Sequence, residues 1–468
     1  MNLKFDYTNL FRHEKMPTGI TKERFEQSKD LCDKAYNLFL SKKNTDPLGY
    51  YDLPDSNVDH IIDYIAGIES KFEAMVVLGI GGSALGNKAV YKALKTQKTL
   101  KKLYVYDNVD PYFWDEILSD INPQKTIFNV ISKSGTTAET SASFMYIINY
   151  LKTNFPDDYK DRLIITTDKE KGFLRKIIQT EGFQGFIVPD DVGGRFSVLT
   201  DVGLVSSAFV GIDIKAMLAG AKAMRKYCDE QNWLQNPAML IALSHVLYMQ
   251  DSSNGVPAVN KSKNISVMMP YSNALYDLAD WYRQLWAESI GKKYNLDGEI
   301  VNVGQTPVQA LGATDQHSQV QLYTEGPKDK IFTFIMVENY QKDFIIPEIF
   351  ADRVEVNYLC RKSFSSLLNA ECVATELAIT ESGSPNLMIK FSEINEENIG
   401  AFIFLYETAT VFAGYMLGIN PLDQPGVEAG KIATYALMNK DGFEDEAAKI
   451  KKYIENKEKQ GSIIWMRQ

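Results

Sequence analysis

Short apolar runs alternate along this chain with longer segments of mixed polarity. Five runs in the first half carry the β-branched and aromatic residues that are typical of buried strands. They span residues 75–80, 103–106, 127–131, 163–166 and 186–188. The intervals between them are long enough for crossover helices, so the pattern predicts a parallel, doubly wound sheet.

A second set of apolar runs begins near residue 260. Residues 265–269 and 331–337 have the composition of strands, and residues 387–391 form a weaker candidate. We therefore predict an α/β protein with two similar sheets and helices at both ends. The predicted division is a helical segment at 1–70, a first α/β domain with trailing helices at 71–255, a second at 256–420, and a helical segment at 421–468.

Composition narrows the class of protein. A chain of 468 residues that is 45% hydrophobic can bury more than one large core. The net charge of −10 argues against a nucleic-acid partner. The four cysteines lack the close pairs of a zinc or redox motif. We see neither an apolar run long enough to cross a bilayer nor the apolar core of a secretion signal, so we expect a cytoplasmic protein without a membrane partner.

The sharpest candidate for chemistry follows the third apolar run. The segment SKSGTTAET places hydroxyl groups around a glycine, directly before a predicted helix. Free backbone N–H groups, the positive end of the helix dipole and hydroxyl donors together form a phosphate site. The alternative is that these residues only cap the helix, but one cap needs one hydroxyl. The four hydroxyl groups in the loop are those of Ser132, Ser134, Thr136 and Thr137.

A glycine-rich segment, GIGGSALG, follows the first apolar run. Gly79, Gly81 and Ala84 fit a loose dinucleotide pattern, and Asp107 ends the next strand where an acid that binds ribose would lie. NAD is therefore a rival ligand. A glycine turn also lets backbone approach a sugar, with Ser83 as a hydrogen-bond donor.

Two further segments carry candidate charged groups. In DVGGRFS the paired glycines allow a tight bend that aims Arg195, although a surface arginine in a turn fits the pattern equally well. In the predicted helix at 277–290, Gln284 and Glu288 are four residues apart and share one face. Nearby tryptophans would desolvate Glu288 and suit it to act as a general base, whereas an exposed glutamate that pairs with Lys292 is the commoner outcome.

The remaining candidates carry weak local signals. His245 lies in an apolar helix, which favours a core histidine. His317 lies in the polar turn GATDQHSQV, where a histidine is usually a cap or a surface residue. The segment NPLDQPGVEAGK contains Gln424 and Lys431, which fit a loop and a solvated lysine.

Taken in order, six motifs resemble one enzyme family. They are GIGGSALG, SKSGTTAET, GGRFS, WAESIGK, GATDQHSQVQL and NPLDQPGVEAGK. The ordered set, from about residue 79 to residue 431, resembles the bacterial type of the glucose-6-phosphate isomerase family. The resemblance implies two sugar isomerase (SIS) domains of flavodoxin-like topology and reversible conversion of glucose 6-phosphate to fructose 6-phosphate through ring opening and a cis-enediolate.

The resemblance also assigns roles to residues. It implies that the SKSGTT loop clamps phosphate and that Gly82 and Ser83 contact sugar, which displaces the NAD interpretation. Glu288 becomes the base, Arg195 the group that stabilises charge, and His317 and Lys431 the groups that open the ring. Gln284 and Gln424 become positioning residues.

The resemblance further implies no metal and no other cofactor. It implies a homodimer in which His317 enters the active site of the neighbouring subunit. Two alternatives stay open: an isomerase that also accepts mannose 6-phosphate, and a non-catalytic SIS-type sensor of sugar phosphates. A sensor needs the hydroxyl clamp, but it does not need Glu288, Arg195, His317 and Lys431 together.

Overall fold

The computed structural model describes residues 1–45, 48–98, 101–249 and 262–459. These residues form two compact units, Met1–Pro421 and Leu422–Gln468. Both five-stranded sheets lie in the first unit. The predicted domain boundary at 255/256 lies outside the described residues.

Within the described ranges the chain forms twelve strands and sixteen α-helices, numbered in chain order. The strands are β1 Leu3–Asp6, β2 Ala74–Leu78, β3 Lys102–Tyr106, β4 Thr126–Ser132, β5 Leu163–Asp168, β6 Gln184–Val188, β7 Ile265–Pro270, β8 Lys292–Tyr294, β9 Ile300–Val303, β10 Thr306–Gln309, β11 Lys330–Val337 and β12 Asn386–Phe391. The helices are α1 Lys22–Gln27, α2 Lys29–Thr45, α3 Asp59–Ile68, α4 Leu85–Lys98, α5 Pro111–Asp120, α6 Ala138–Asn154, α7 Phe173–Glu181, α8 Asp201–Phe209, α9 Ile214–Cys228, α10 Pro237–Met249, α11 Tyr276–Ile290, α12 Val320–Glu325, α13 Phe364–Glu381, α14 Glu396–Met416, α15 Glu428–Leu437 and α16 Glu444–Lys459.

The first sheet is the predicted doubly wound parallel sheet. Its strand order is β3-β2-β4-β5-β6, and all neighbouring pairs are parallel. Numbered within the sheet, this is the flavodoxin-like order 2-1-3-4-5. Every residue of the central strands β2, β4 and β5 is buried because helices cover both faces. The order reverses between β2 and β4, and ligands of such sheets bind at that point.

The second sheet repeats this order with one change. Its strands run β1-β12-β11-β7-β10. Strands β7, β10, β11 and β12 are parallel. When these four are numbered 1 to 4 in chain order, their order across the sheet is 2-1-3-4. The outer position beside β12 is taken by β1, which pairs antiparallel to it. The prediction of an α/β fold with two similar parallel sheets is therefore confirmed.

Four strands escaped the sequence analysis. The segment 1–70 was predicted to be helical, and this is wrong for β1, whose side chains alternate between half-buried and exposed. The other missed strands are β10, at the opposite edge of the second sheet, and the pair β8 and β9, which form a separate two-stranded sheet. Edge and isolated strands have few neighbours, so they need no continuous apolar run.

The long helix α14 lies in the core of the first unit. It packs against α2, α9, α10 and α11. A side chain at Gly400 would meet the carbonyl of Met217 on α9, so the two helices touch backbone to backbone. By length and composition α14 is the one described helix that could cross a membrane, which corrects the expectation that no apolar run is long enough. It is entirely buried within the protein, as a core helix is.

Candidate active site

Two loops meet at the point where the strand order of the first sheet reverses. The GIGGSALG loop leaves β2 and the SKSGTT loop leaves β4, and these two strands are neighbours in the sheet. A side chain at Gly79 would lie 3.3 Å from the carbonyl of Ile131, so the two loops begin in close contact. The predicted sugar and phosphate segments therefore share one rim.

The SKSGTT loop is a compact cluster of hydroxyl groups. The Oγ1 of Thr137 lies 3.1 Å from the Oγ of Ser132 and 3.3 Å from that of Ser134. The hydroxyl of Thr136 donates to Ser134 at 3.4 Å. Gly135 has a φ of 65°, which turns the backbone back on itself. Ser132 is buried, whereas Ser134 and Thr136 are exposed, so the cluster opens to solvent.

The contacts of Thr137 bear on the choice between the capping and the anion interpretations of this loop. Thr137 is the N-cap residue of α6, yet its side chain makes no capping hydrogen bond. Its hydroxyl group faces the other hydroxyls instead. The Thr137 side chain therefore accepts no hydrogen bond from the backbone N–H groups in the first turn of α6. This favours the interpretation of the loop as an anion site.

Lys133 joins the hydroxyl loop to the segment that carries Arg195. Its ammonium group donates to the carbonyls of Asp190 and Val192, at 2.6 and 3.0 Å. Val192 lies three residues before Arg195. The sequence analysis did not select Lys133, because a lysine within a hydroxyl-rich loop is by itself an ordinary solvated residue.

The GGRFS segment packs directly on the glycine loop. A side chain at Gly82 would lie 2.0 Å from the carbonyl oxygen of Gly194, so only glycine allows this approach. Gly81, with a φ of 58°, lies beside the Nε2 of Gln284. The half-buried Ser83 ends the same single turn. The glycine loop thus touches both the arginine segment and α11.

Arg195 is buried and not a surface residue. Its Nε donates to the Oγ of Ser289 at 2.6 Å, and its Nη2 donates to the carbonyl of Pro421 at 2.6 Å. Its Nη1 lies 3.4 Å from the Oε2 of Glu288, as an ion pair. A guanidinium so enclosed is a fixed positive charge at the end of α11.

Glu288 and Gln284 share one face of α11, as their spacing predicts. The Nε2 of Gln284 donates to the Oε1 of Glu288 at 3.0 Å, and the Glu288 side chain stays 32% exposed. The Nζ of Lys292 donates to the main-chain oxygens of Glu288 and Ser289, at 2.6 and 2.8 Å. One carboxylate oxygen thus faces an amide donor and the other a guanidinium, while part of the group remains open to a ligand.

Asp107 does not have the surroundings that a dinucleotide site needs. Its carboxylate is bound by the ammonium group of Lys88, on α4. An acid that binds ribose must accept from the 2′ and 3′ hydroxyl groups. The ion pair occupies the acid that the NAD interpretation requires.

Among the described residues, His317 makes no hydrogen bond or ion pair with Glu288. His317 ends the single turn Thr314–His317 and is exposed. The neighbouring Gln316 donates to the hydroxyl of Tyr271, which directly follows β7. Tyr271 precedes the start of α11, and Glu288 lies in the last turn of that helix.

Gln424 and Lys431 belong to the second compact unit. Gln424 is exposed and precedes the single turn Pro425–Val427. Lys431 lies in the first turn of α15, where its ammonium group is 2.7 Å from the Oε1 of Glu428. Both side chains of this pair are more than half exposed. The roles assigned to Gln424 and Lys431 stay predictions.

His245 is the core histidine that its apolar helix predicts. Its ring is fully buried, packs 4.8 Å from the ring of Trp286, and has Nδ1 3.0 Å from the Oε1 of Gln305. Burial lowers the pKa of His245 to about 4. Within the described ranges, no group of three or more His, Cys, Asp or Glu side chains is arranged to hold a metal ion.

Comparisons with known proteins identify the family of this chain. A model of the phosphoglucose isomerase family matches residues 64–448. The glucose-6-phosphate isomerase of Carboxydothermus hydrogenoformans is 42% identical over 467 residues, which cover 97% of this chain and 98% of that protein. The enzyme of the same name from Rubrobacter xylanophilus is 39% identical over 453 residues, which cover 94% and 99% of the two chains.

Solved structures resemble the whole chain. The hypothetical protein TT0462 of Thermus thermophilus has a TM-score of 0.84 and 33% identity, with 93% of this chain and 100% of that one covered. A glucose-6-phosphate isomerase of Chlamydia trachomatis has the same fold, with a TM-score of 0.81 at 21% identity and coverage of 97% and 92%. This chain belongs to the phosphoglucose isomerase family.

Proposed function

We propose that this protein interconverts glucose 6-phosphate and fructose 6-phosphate. The observation that carries the proposal is the Glu288 carboxylate held against the buried Arg195 guanidinium, at the end of α11 that meets the glycine loop. The hydroxyl cluster lies on the neighbouring loop of the same rim. A base, a fixed positive charge and a phosphate site are the groups that aldose–ketose isomerisation of a sugar phosphate requires.

The chemistry assigns a separate task to each group. Glu288 removes the proton from C2 of the open-chain aldose and returns it to C1. As the carboxylate becomes neutral, the negative charge moves to the substrate oxygen, where Arg195 stabilises the cis-enediolate. The hydroxyl cluster binds the phosphate at the far end of the sugar and supplies binding energy that holds C1 and C2 at the base. Gln284 fixes the orientation of the Glu288 carboxylate.

Ring opening comes before this step. It moves a proton from the C1 hydroxyl to the ring oxygen, and His317 and Lys431 are the groups to which the proposal assigns this transfer. Gln424 is assigned a role in positioning the substrate. No step of the proposed reaction requires a metal or a redox cofactor, because each step only relocates protons.

The placement of His317 supports a homodimer. In its own chain, the neighbour of His317 is bonded to Tyr271, which precedes α11, whereas Glu288 lies in the last turn of that helix. A second copy that presents its His317 to this Glu288 would complete the site. We therefore propose that each active site takes its histidine from the partner subunit.

An exposed apolar loop offers a surface for that second copy. The loop, residues 344–364, is closed at its base by hydrogen bonds between its ends. It precedes α13, whose Glu371 carbonyl accepts from the side chain of Gln316. Large exposed apolar patches of this kind mark protein interfaces. The exposed apolar side chains of the loop are those of Phe344, Ile345, Ile349, Phe350, Val354, Val356, Tyr358 and Phe364.

Complementation between two inactive variants tests the shared site. Glu288→Gln and His317→Ala chains are unfolded together, refolded and assayed. If His317 acts across the interface, each mixed dimer has one intact site, so random pairing restores about a quarter of the wild-type activity. Each variant refolded alone is the control. Failure of the mixture to regain activity, with mixed dimers demonstrated by differential tagging, would refute the shared site.

The activity itself is tested by a coupled assay. Purified protein is given fructose 6-phosphate in EDTA, and glucose 6-phosphate is followed through its dehydrogenase while mannose 6-phosphate is measured in parallel. We expect rapid formation of glucose 6-phosphate alone. Formation of both aldoses would identify a dual-specificity isomerase. Binding of fructose 6-phosphate without turnover would refute the proposal and leave a sensor.

A further inference from the structure

Each nitrogen type of the Arg195 guanidinium faces a different acceptor. Nε donates to the hydroxyl of Ser289, Nη2 to the carbonyl of Pro421, and Nη1 faces the carboxylate of Glu288. The first two distances are both 2.6 Å, and the third is 3.4 Å. The short bonds go to neutral oxygens, and the long contact goes to the charged partner.

This order of distances is the reverse of what free charges adopt. An unrestrained guanidinium forms a close, bidentate pair with a carboxylate, with N···O distances of about 2.7 to 2.9 Å. Here two short bonds fix the plane of the guanidinium and leave the contact to Glu288 longer. The guanidinium therefore lies beside the carboxylate without a close, bidentate pair between them.

We propose that Ser289 is a positioning residue that holds Arg195 back from Glu288. The Ser289 hydroxyl accepts from Nε and thereby prevents the guanidinium from turning both of its Nη groups onto the carboxylate. Glu288 then keeps its carboxylate clear of a bidentate pair with the guanidinium, and Arg195 stays oriented toward the oxygen on which the enediolate charge develops. This inference rests on the proposed function of the same site.

The location of Ser289 fits this role. It follows Glu288 directly in α11, so one turn of helix fixes both the base and the group that orients its counter-charge. Ser289 is completely buried and Arg195 nearly so, which excludes water as a substitute acceptor in the folded chain. In such a site, a displacement of the guanidinium by about 1 Å is enough to cost on the order of a hundredfold in rate.

The test replaces Ser289 by alanine and measures kcat, KM and their pH dependence with fructose 6-phosphate. We expect kcat to fall at least about tenfold, because the electrostatic donor is misplaced. We expect KM to change less than about twofold, because the phosphate contacts are untouched. We also expect the acidic limb of kcat/KM to move to lower pH, because a guanidinium that collapses onto Glu288 favours its ionised form.

Ser266→Ala is the matched control. The Ser266 hydroxyl, on β7, lies 2.7 Å from the hydroxyl of Tyr282 on α11, and both groups are buried. This variant therefore removes a comparable buried hydrogen bond from the same helix, on a pair separate from Arg195. Its thermal stability should fall about as much as that of Ser289→Ala, with kcat and the pH profile unchanged. Ser289→Cys, with a weaker acceptor of similar size, should lie between wild type and Ser289→Ala.

The outcomes separate this inference from the proposed function. An inactive wild-type protein would overturn the proposed isomerase and this role together. An active wild type whose Ser289→Ala variant keeps its kcat and its acidic limb, as the control does, would overturn the role of Ser289 alone. Should Ser289→Ala fail to fold, the same readouts on Ser289→Cys decide, and an unchanged pH profile refutes the proposal.

Discussion

Glu407 carries a carboxyl group in the middle of the core helix α14. The residue is completely buried, and neither carboxyl oxygen has a hydrogen-bond partner among the described residues. Burial raises the pKa of Glu407 well above its ordinary value of 4.5. Burial, and then the nearby Glu407 carboxyl, raises the pKa of Tyr50, whose hydroxyl donates to that of Thr408. We predict that Glu407 is protonated in the folded protein and limits its stability.

The size of the effect follows from linkage. In the unfolded chain the carboxyl loses its proton above pH 4.5, whereas the folded chain keeps it. Stability is therefore full below the unfolded pKa and is lost as pH rises, by about 1.4 kcal/mol for each pH unit while the folded carboxyl stays protonated. At pH 7 the loss is at most about 3 kcal/mol, the limit for a carboxyl that keeps its proton in the folded chain. Glu407→Gln keeps the shape and removes the titration, so it should recover up to this amount at pH 7 and almost nothing at pH 4.5.

Denaturant unfolding at pH 4.5, 5.5, 6.5 and 7.5 tests this prediction. The stability difference between Glu407→Gln and wild type should grow steadily with pH, while the isomerase activity stays unchanged. Glu455→Gln, on the exposed face of α16, is the control and should show no such trend. A difference that is the same at every pH would refute the argument, because it would mean that folding does not move the titration of Glu407.

Four further predictions concern the site and its support. Glu288→Gln should lower kcat by at least about a hundredfold, with binding of fructose 6-phosphate retained in calorimetry; near-normal turnover would exclude Glu288 as the base. Thr137→Val should raise KM about tenfold without lowering the melting temperature, because this side chain does not cap α6; an unchanged KM would argue against the clamp. Gly82→Ala should abolish activity, because its Cβ would lie 2.0 Å from the carbonyl oxygen of Gly194, and an active variant would show that the two loops separate freely. Protonation of His245 in the unfolded chain should cost the wild type about 3 kcal/mol of stability between pH 6.5 and pH 4, because the folded chain, with a pKa of about 4, does not take up this proton; relative to wild type, His245→Gln should gain this amount over that range in the same unfolding assay.

The central strands could be predicted from the sequence because they are buried on both sides. Such strands need continuous apolar residues, and β2, β4 and β5 show them. The strand β1 could not be found in this way, because its half-buried, half-exposed residues form no apolar run. Its pairing with β12 depends on a partner at the far end of the chain, which no local pattern reveals.

The candidate active site, too, could be predicted from the sequence only in part. The positions of Gln284 and Glu288 on one face follow from helical spacing alone. The contact between Arg195 and Glu288 does not, since the two residues are brought together by the packing of α11 on the glycine and arginine segments. Ser289 and Lys133 were missed for a related reason: their importance lies in what they touch, and neither residue type is unusual at its position.

The pairing of β1 with β12 has a consequence for how the chain folds during synthesis. Leu3 pairs with Phe391, so β1, the first strand to leave the ribosome, cannot pair until β12, the last of the described strands, has been synthesised. At about 5 to 20 residues per second this interval is roughly 20 to 80 seconds. The first sheet, made of strands close together in sequence, can form long before then, whereas the second sheet must close around a segment kept available throughout translation. A chain that lacks its first six residues would expose the edge of β12. Newly made copies of this chain would aggregate through that edge, although none of the proposed catalytic residues would have been removed.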